Sequence, residues 1–258
     1  MRKKVIAGLL VGAMTFSLIL AGCGSKKESE NKEITVSIAA SLQKPMDKIK
    51  DEFQKESGIK VNYNSGGSGT LKKQIAEGAN VDIFFSANTK YANELVDEGL
   101  VKKDETYNFL RNSLVLIGNK DNEKEIDNLD ELKKVKGKIG VGEVSTVPAG
   151  QYTKQTLDNL KIWDSLKDKF IYAKSVTNVV NYVESGDVDY GFVYKTDAMN
   201  LKDSKIVYEV PNDYHKMIEY SLCILKDSKN MNESKKFIDF LKGDKSKEIF
   251  KEYGFGVE

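Results

Sequence analysis

Short apolar runs in this chain repeatedly end in a loop of small residues and then pass into a segment with helical spacing, and this alternation limits the folds open to it. "ITVSIAAS" (34–41) reads as a buried strand, and behind it Leu42, Met46, Ile49 and Phe53 recur at helical spacing, with Pro45 in the first turn and Gly58 at the end. "IKVNYNS" is a second strand; a glycine-rich loop leads to a helix with Leu71 and Ile75 four apart, then to the strand "VDIFFSA" and a helix over 91–98. After "NSLVLIG" a second series begins, with a helix over 129–135, "KIGVG", a helix to 160, "FIYA", a helix over 177–184 and "YGFVY". "YSLCILK" adds one more strand, and two helices broken at Gly243 end the chain. Strand–helix alternation calls for parallel strands with helices on both faces. The expectation is an α/β chain of two lobes, each a mixed sheet flanked by helices.

Both "NSLVLIG" and "YSLCILK" fall where one series stops and the other starts, so the path crosses between lobes twice. A two-strand hinge and a cleft follow. The expected lobes are 33–112 with 220–258, and 113–219.

The first 22 residues differ from the rest. "MRKK" is a positive n-region, "VIAGLLVGAMTFSLIL" an apolar h-region, and "LAGC" ends at Cys23. A spanning helix is the alternative, but Ala21 and Gly22 before a cysteine, with "GSKKESENKE" after it, favour cleavage and acylation. The pattern resembles a bacterial lipobox. Residues 1–22 are expected to be a lipoprotein signal peptide, and 23–32 the acylated Cys23 with a polar linker. Lipid on Cys23 would tether the chain to the outer face of the cytoplasmic membrane.

Removing that segment takes Arg2, Lys3 and Lys4 and leaves 37 basic against 39 acidic residues, a formal charge of −2. No nucleic-acid-binding imbalance remains. Cys223, in the apolar run "YSLCIL", is then the one cysteine left, so no intrachain disulfide forms, and it is expected to act as a small buried hydrophobe. The single histidine, His215, has no second histidine and no cysteine nearby, which argues against zinc.

Four strand-to-helix loops remain as candidate chemistry: "AASLQ" around Ser41, "GGSGT" around Ser68, "STVPAGQ" around Ala149 and "KSVTN" around Val176. None contains Asp or Glu. In open α/β sheets ligands sit beyond the carboxyl ends of strands, where helix N-termini aim unsatisfied N–H groups into the crevice. Such loops suit an oxyanion. Ser41, Ser68 and Thr177 could instead simply cap their helices.

"GGSGT" fails the G-x-S-x-G nucleophile elbow, and His215 supplies no base with a paired carboxylate. "GGSGTLKK" lacks the P-loop core, and "GVGEVS" fails G-x-G-x-x-G. No enzyme, cofactor or direct metal ligand is expected. Arg111, the one arginine outside the leader, lies beside "NSLVLIG" rather than in any of the four loops and reads as surface or hinge support.

Taken in order, "AASL", "SGTLKKQIAEGANVDIFFSA", "NSLVLIGN", "VPAGQYTKQTL", "GFVYKTDA" and "FIDFLKGDKSKEIFKEYGF" resemble the molybdate-binding proteins of ABC importers, which lie within the two-lobed, type II solute-binding proteins. The resemblance covers nearly all of 33–258. It implies a lipid-anchored monomer that binds molybdate or tungstate outside the cell and hands it to a membrane permease. It also implies that Ser41 and Ser68 offer hydroxyl and backbone N–H groups, Ala149 and Val176 backbone N–H groups, and Tyr194 its phenol. From the residues alone, Tyr194 in "YGFVY" fits a core aromatic equally well.

A cavity offering donors only would discriminate by protonation state. Phosphate at neutral pH usually carries a proton, and a buried O–H without an acceptor costs about 1–3 kcal/mol. Fully ionised molybdate, tungstate and sulfate are favoured. A tungstate or sulfate receptor and a cell-surface serine hydrolase using Ser68 are the competing functions.

Overall fold

The structure, a computed structural model, describes residues 32–120 and 126–257. The expected signal peptide, Cys23 and the linker up to residue 31 lie outside the described residues.

β1 (Glu33–Ala39) is buried along most of its length and tightens at its end into a 3-10 turn, Ala40–Leu42. α1 (Gln43–Ser57) then buries Pro45, Met46, Ile49 and Phe53 on one face and stops at Gly58, whose φ of 69° suits a residue without Cβ. β2 (Lys60–Gly66), α2 (Ser68–Ala76), β3 (Ile83–Ser86), α3 (Thr89–Asp97) and β4 (Val101–Asn112) complete the first series. The second holds β5 (Leu114–Asn119), β6 (Ile139–Gly142), α4 (Pro148–Asn159), the single turn α5 (Trp163–Leu166), β7 (Phe170–Ala173), α6 (Val176–Glu184), β8 (Tyr190–Tyr194) and β9 (Ser204–Glu209). The chain returns through β10 (Ile218–Leu225), α7 (Met231–Lys242), α8 (Asp244–Glu252) and β11 (Gly256–Val257).

Two sheets result, ordered β11-β4-β10-β3-β1-β2 and β7-β6-β8-β5-β9. Both are mixed. β1 runs parallel to β2 and β3, and β6 parallel to β7 and β8, while β10, β4, β11, β5 and β9 pair antiparallel. The chain passes from the first sheet to the second at Ser113 and back over 210–217. Since β4 pairs with β10 and β5 with β9, the two crossings run side by side.

On one face of the first sheet, Phe85, Phe109, Tyr220, Phe250 and Phe255 meet edge-on or tilted, and Phe53 packs on Phe237 at 4.8 Å between centroids. On the other face, Leu71, Ile75, Tyr91 and Leu95 of α2 and α3 cover Phe84 and Cys223. Cys223 is a free, buried thiol, and that apolar burial pushes its pKa up to about 12.

Three strands were not expected from the sequence: β4, β9 and β11. β4 reads "VKKDETYNFLRN", and residues 102–104 lie exposed, so it carries no apolar alternation to announce it. The helix expected over 129–135 is a 3-10 turn, Leu129–Lys133, which buries only Leu129 and Leu132.

Candidate functional site

Three of the four loops continue directly from a strand end into a first helical turn, and the fourth, around Ala149, follows β6 after Glu143 and Val144. Ser41 lies in the 3-10 turn after β1; Ser68 is the first residue of α2, Ala149 the second of α4 behind Pro148, and Val176 the first of α6. First-turn N–H groups have no intrahelical carbonyl to reach, so they are donors available to whatever sits in front of them.

The capping alternative fails for both serines. Neither Ser41 nor Ser68 makes a side-chain cap bond; Gly67, not Ser68, is the N-cap of α2. The Ser68 Oγ instead accepts the N–H of Ala87 at 3.0 Å, and the Ser41 Oγ lies 2.9 Å from the Tyr220 hydroxyl. Thr177 is not a cap either, since Ser175 caps α6 by accepting the Asn178 N–H at 3.2 Å.

Ser41, Ser68, Ala149, Val176 and Tyr194 all line one small cavity, together with apolar residues and glycines and with no Asp, Glu, Lys or Arg. Its volume is about 10 Å³, room for about one water-sized sphere. Tyr194, at the end of β8, is 1% exposed, and its buried hydroxyl has no hydrogen-bond partner among the described residues. Burial holds that phenol well above its usual pKa, so it keeps its proton as a donor. A buried hydroxyl without a partner is costly, and the hydroxyls and first-turn N–H groups of residues lining an uncharged hollow could supply what an anion with several acceptor oxygens lacks once it leaves water. A larger cleft of about 860 Å³ adjoins the cavity and shares Ala40, Gly66 and Gly67 with it.

The glycines of "GGSGT" serve close approach. A Cβ on Gly67 would lie 2.9 Å from the Lys174 carbonyl oxygen, and one on Gly69 2.7 Å from the Thr146 Cα. Gly69 donates its N–H to the Thr146 carbonyl at 2.8 Å, and the Tyr91 hydroxyl donates to the Ser145 carbonyl at 3.3 Å. Asn88 reaches Gln151 at 3.1 Å. These contacts join the α2–α3 side of the first sheet to the β6–α4 loop of the second, directly beside the cavity.

Sequence reasoning missed this contact, and it missed Asn112 and Tyr220 behind Ser41. The Asn112 amide donates to the Tyr220 hydroxyl at 3.1 Å and to Thr196 Oγ1 at 2.9 Å. Asp197 was also missed. Its buried Oδ2 has no partner among the described residues, and desolvation raises its pKa to about 7 against the opposing pull of Lys44, but it lines a neighbouring hollow rather than the cavity. Arg111 is exposed, pairs with Glu219 at 3.8 Å and does not line the cavity.

The hydrolase alternative finds no base. His215 bonds the Lys216 carbonyl through Nδ1, packs on Tyr152 and does not line the cavity that holds Ser68. Among the described residues no group of His, Cys, Asp and Glu could hold a metal ion, and no helix is long and apolar enough to cross a membrane.

Comparison with known proteins bears on the family and the fold. Residues 34–256 match the bacterial extracellular solute-binding protein family. A Bacillus subtilis protein named as an ABC transporter substrate-binding lipoprotein is 39% identical over 97% of this chain and 98% of its own length. The molybdate-binding protein of Escherichia coli K12 is 35% identical over 94% of this chain and 95% of its own. Among solved structures, the periplasmic molybdate-binding protein of Azotobacter vinelandii superposes with a TM-score of 0.78 at 25% identity, over 87% of this chain and 99% of that one.

Proposed function

The chain belongs to the bacterial extracellular solute-binding proteins, and on that premise we propose that it is the substrate-binding component of an ABC importer whose cargo is a tetrahedral metal oxyanion, molybdate or tungstate. The observation that carries the reading is the Tyr194 hydroxyl, buried and unpartnered in a cavity that has no charged side chain. Ser41 and Ser68 add hydroxyl donors, and Ala149 and Val176 add first-turn N–H groups. The relatives named for molybdate binding point the same way.

In this reading each sheet with its helices is one lobe, 33–112 with 220–258 and 113–219. Ser41 and Ser68 come from one lobe, and Ala149, Val176 and Tyr194 from the other, so the anion's oxygens bridge the two. Four oxygens need more room than one water-sized sphere, so entry requires the lobes to ease apart about the crossings at Ser113 and 210–217. Closure around the anion is the state a membrane permease recognises. Lipid on Cys23, in keeping with the lipoprotein relative, holds the monomer at the outer face of the cytoplasmic membrane.

Thermal unfolding of ligand-stripped protein with molybdate, tungstate, sulfate or phosphate tests the cargo. At about a hundredfold its dissociation constant a ligand adds about 2.7 kcal/mol, or about 5–11 °C for a chain of this size. The expected result is a shift of that order with molybdate and tungstate and little with phosphate. A shift with sulfate alone would reassign the cargo.

A further inference from the structure

Ser41 is held from behind by a chain of groups whose hydrogen-bond polarity can be read in order. The Ser113 N–H can only donate, and it donates to Asn112 Oδ1 at 2.9 Å, which fixes which end of the Asn112 amide faces which way. Nδ2 is therefore the atom facing the Tyr220 hydroxyl at 3.1 Å, with its second N–H on Thr196 Oγ1 at 2.9 Å. An amide nitrogen cannot accept, so the Tyr220 oxygen accepts from Asn112. Tyr220 is 0% exposed, and burial keeps its phenol protonated. Its one proton has the Ser41 Oγ, at 2.9 Å, as its partner. Ser41 thus receives a hydrogen bond from behind, and its own proton is left for the cavity. Ser68 has the same arrangement by a shorter route, because the Ala87 N–H donates to its Oγ.

We propose that Asn112 and Tyr220 form a relay that orders the hydroxyl protons, locks Ser41 as a donor toward the cavity, and thereby sets the preference of the site for fully ionised oxyanions over protonated ones. The inference rests on the oxyanion reading above. Neither residue lines the cavity, so both are positioning residues. With the lock in place, a hydrogen phosphate or hydrogen arsenate that turns its O–H toward Ser41 meets another donor. Without it, the Ser41 hydroxyl can reverse and offer a lone pair.

The test is a calorimetric titration with molybdate, with hydrogen phosphate and hydrogen arsenate measured by competition, on the full chain and on two variants that leave formal charge unchanged, Asn112→Leu and Tyr220→Phe. Each variant is expected to lower the ratio of molybdate to hydrogen phosphate affinity by about tenfold or more, the scale of one buried O–H gaining an acceptor. A merely structural role would weaken all three ions alike and leave the ratio unchanged. An unchanged ratio in both variants, with molybdate still bound by the unaltered chain, would overturn the relay and leave the oxyanion reading standing. Failure of the unaltered chain to bind any of the ions would overturn that reading and the relay with it.

Discussion

Gly69→Ala is expected to weaken oxyanion binding by about 10–100-fold while leaving the unfolding temperature of the ligand-free chain nearly unchanged. The added Cβ would lie 2.7 Å from both the Thr146 Cα and the Tyr91 hydroxyl oxygen, and 2.9 Å from the Thr146 carbonyl oxygen. Both Thr146 atoms are backbone that no rotamer can move aside, and overpacking of this kind costs about 1–3 kcal/mol. Tyr91 lies on the same side as Gly69 and its hydroxyl is the end of a side chain that can turn aside, whereas the Thr146 clash crosses between the two proposed lobes, so the protein can relieve it by parting them. Parting them separates Ser41 and Ser68 from Ala149, Val176 and Tyr194, so the cost appears in affinity, as a tax on the binding-competent state. Titration with molybdate alongside thermal unfolding separates the two quantities. Equal affinity in variant and parent would mean that the loop contact seen here is not needed for binding.

Gly150→Ala should act differently, by lowering stability itself. Its Cβ would fall 1.9 Å from the Gly142 carbonyl oxygen and 2.6 Å from the carbonyl carbon, where the first turn of α4 packs on the end of β6. Both partners belong to the same lobe, so hinge motion gives no relief and the helix must move off the sheet. A loss of about 3 kcal/mol or more is expected, which corresponds to a fall of about 6–12 °C in unfolding temperature. Because that movement displaces Ala149, affinity should fall too. An unfolding temperature within about 2 °C of the parent would contradict the packing described, since about 2–4 °C corresponds to 1 kcal/mol for a chain of this size.

The two substitutions also show what the sequence could and could not reveal. Local patterning carried the elements that bury a face or a whole strand: Leu42, Met46, Ile49 and Phe53 do lie along the buried side of one helix or its entry, and "YGFVY" is buried throughout. The loops around Ser41, Ser68 and Val176 were legible because a strand end, small residues and a helix start are contiguous in the chain, while Glu143 and Val144 separate β6 from the loop around Ala149. β4 was not legible, because residues 102–104 face outward and its place is set by pairing with β10, more than a hundred residues later. The same holds for the support of Ser41, whose partner Tyr220 is 179 residues away. Glycine in "GGSGT" announced freedom, yet what requires it at Gly69 is the backbone of Thr146 on the other lobe, a constraint that exists only once the chain has folded.

Tyr194 occupies a middle position. Its apolar context fits a core aromatic, and it is indeed buried to 1% exposure, but a core tyrosine ordinarily finds a partner for its hydroxyl, and this one has none among the described residues. A calorimetric titration of the ligand-stripped chain with molybdate, set beside Tyr194→Phe, therefore tests the proposed site most directly. The prediction is one bound anion per chain, with affinity about 10–100-fold weaker in the variant, the loss expected for one hydrogen bond to a charged acceptor. Absence of binding by the parent chain, or equal affinity in the two proteins, would contradict it.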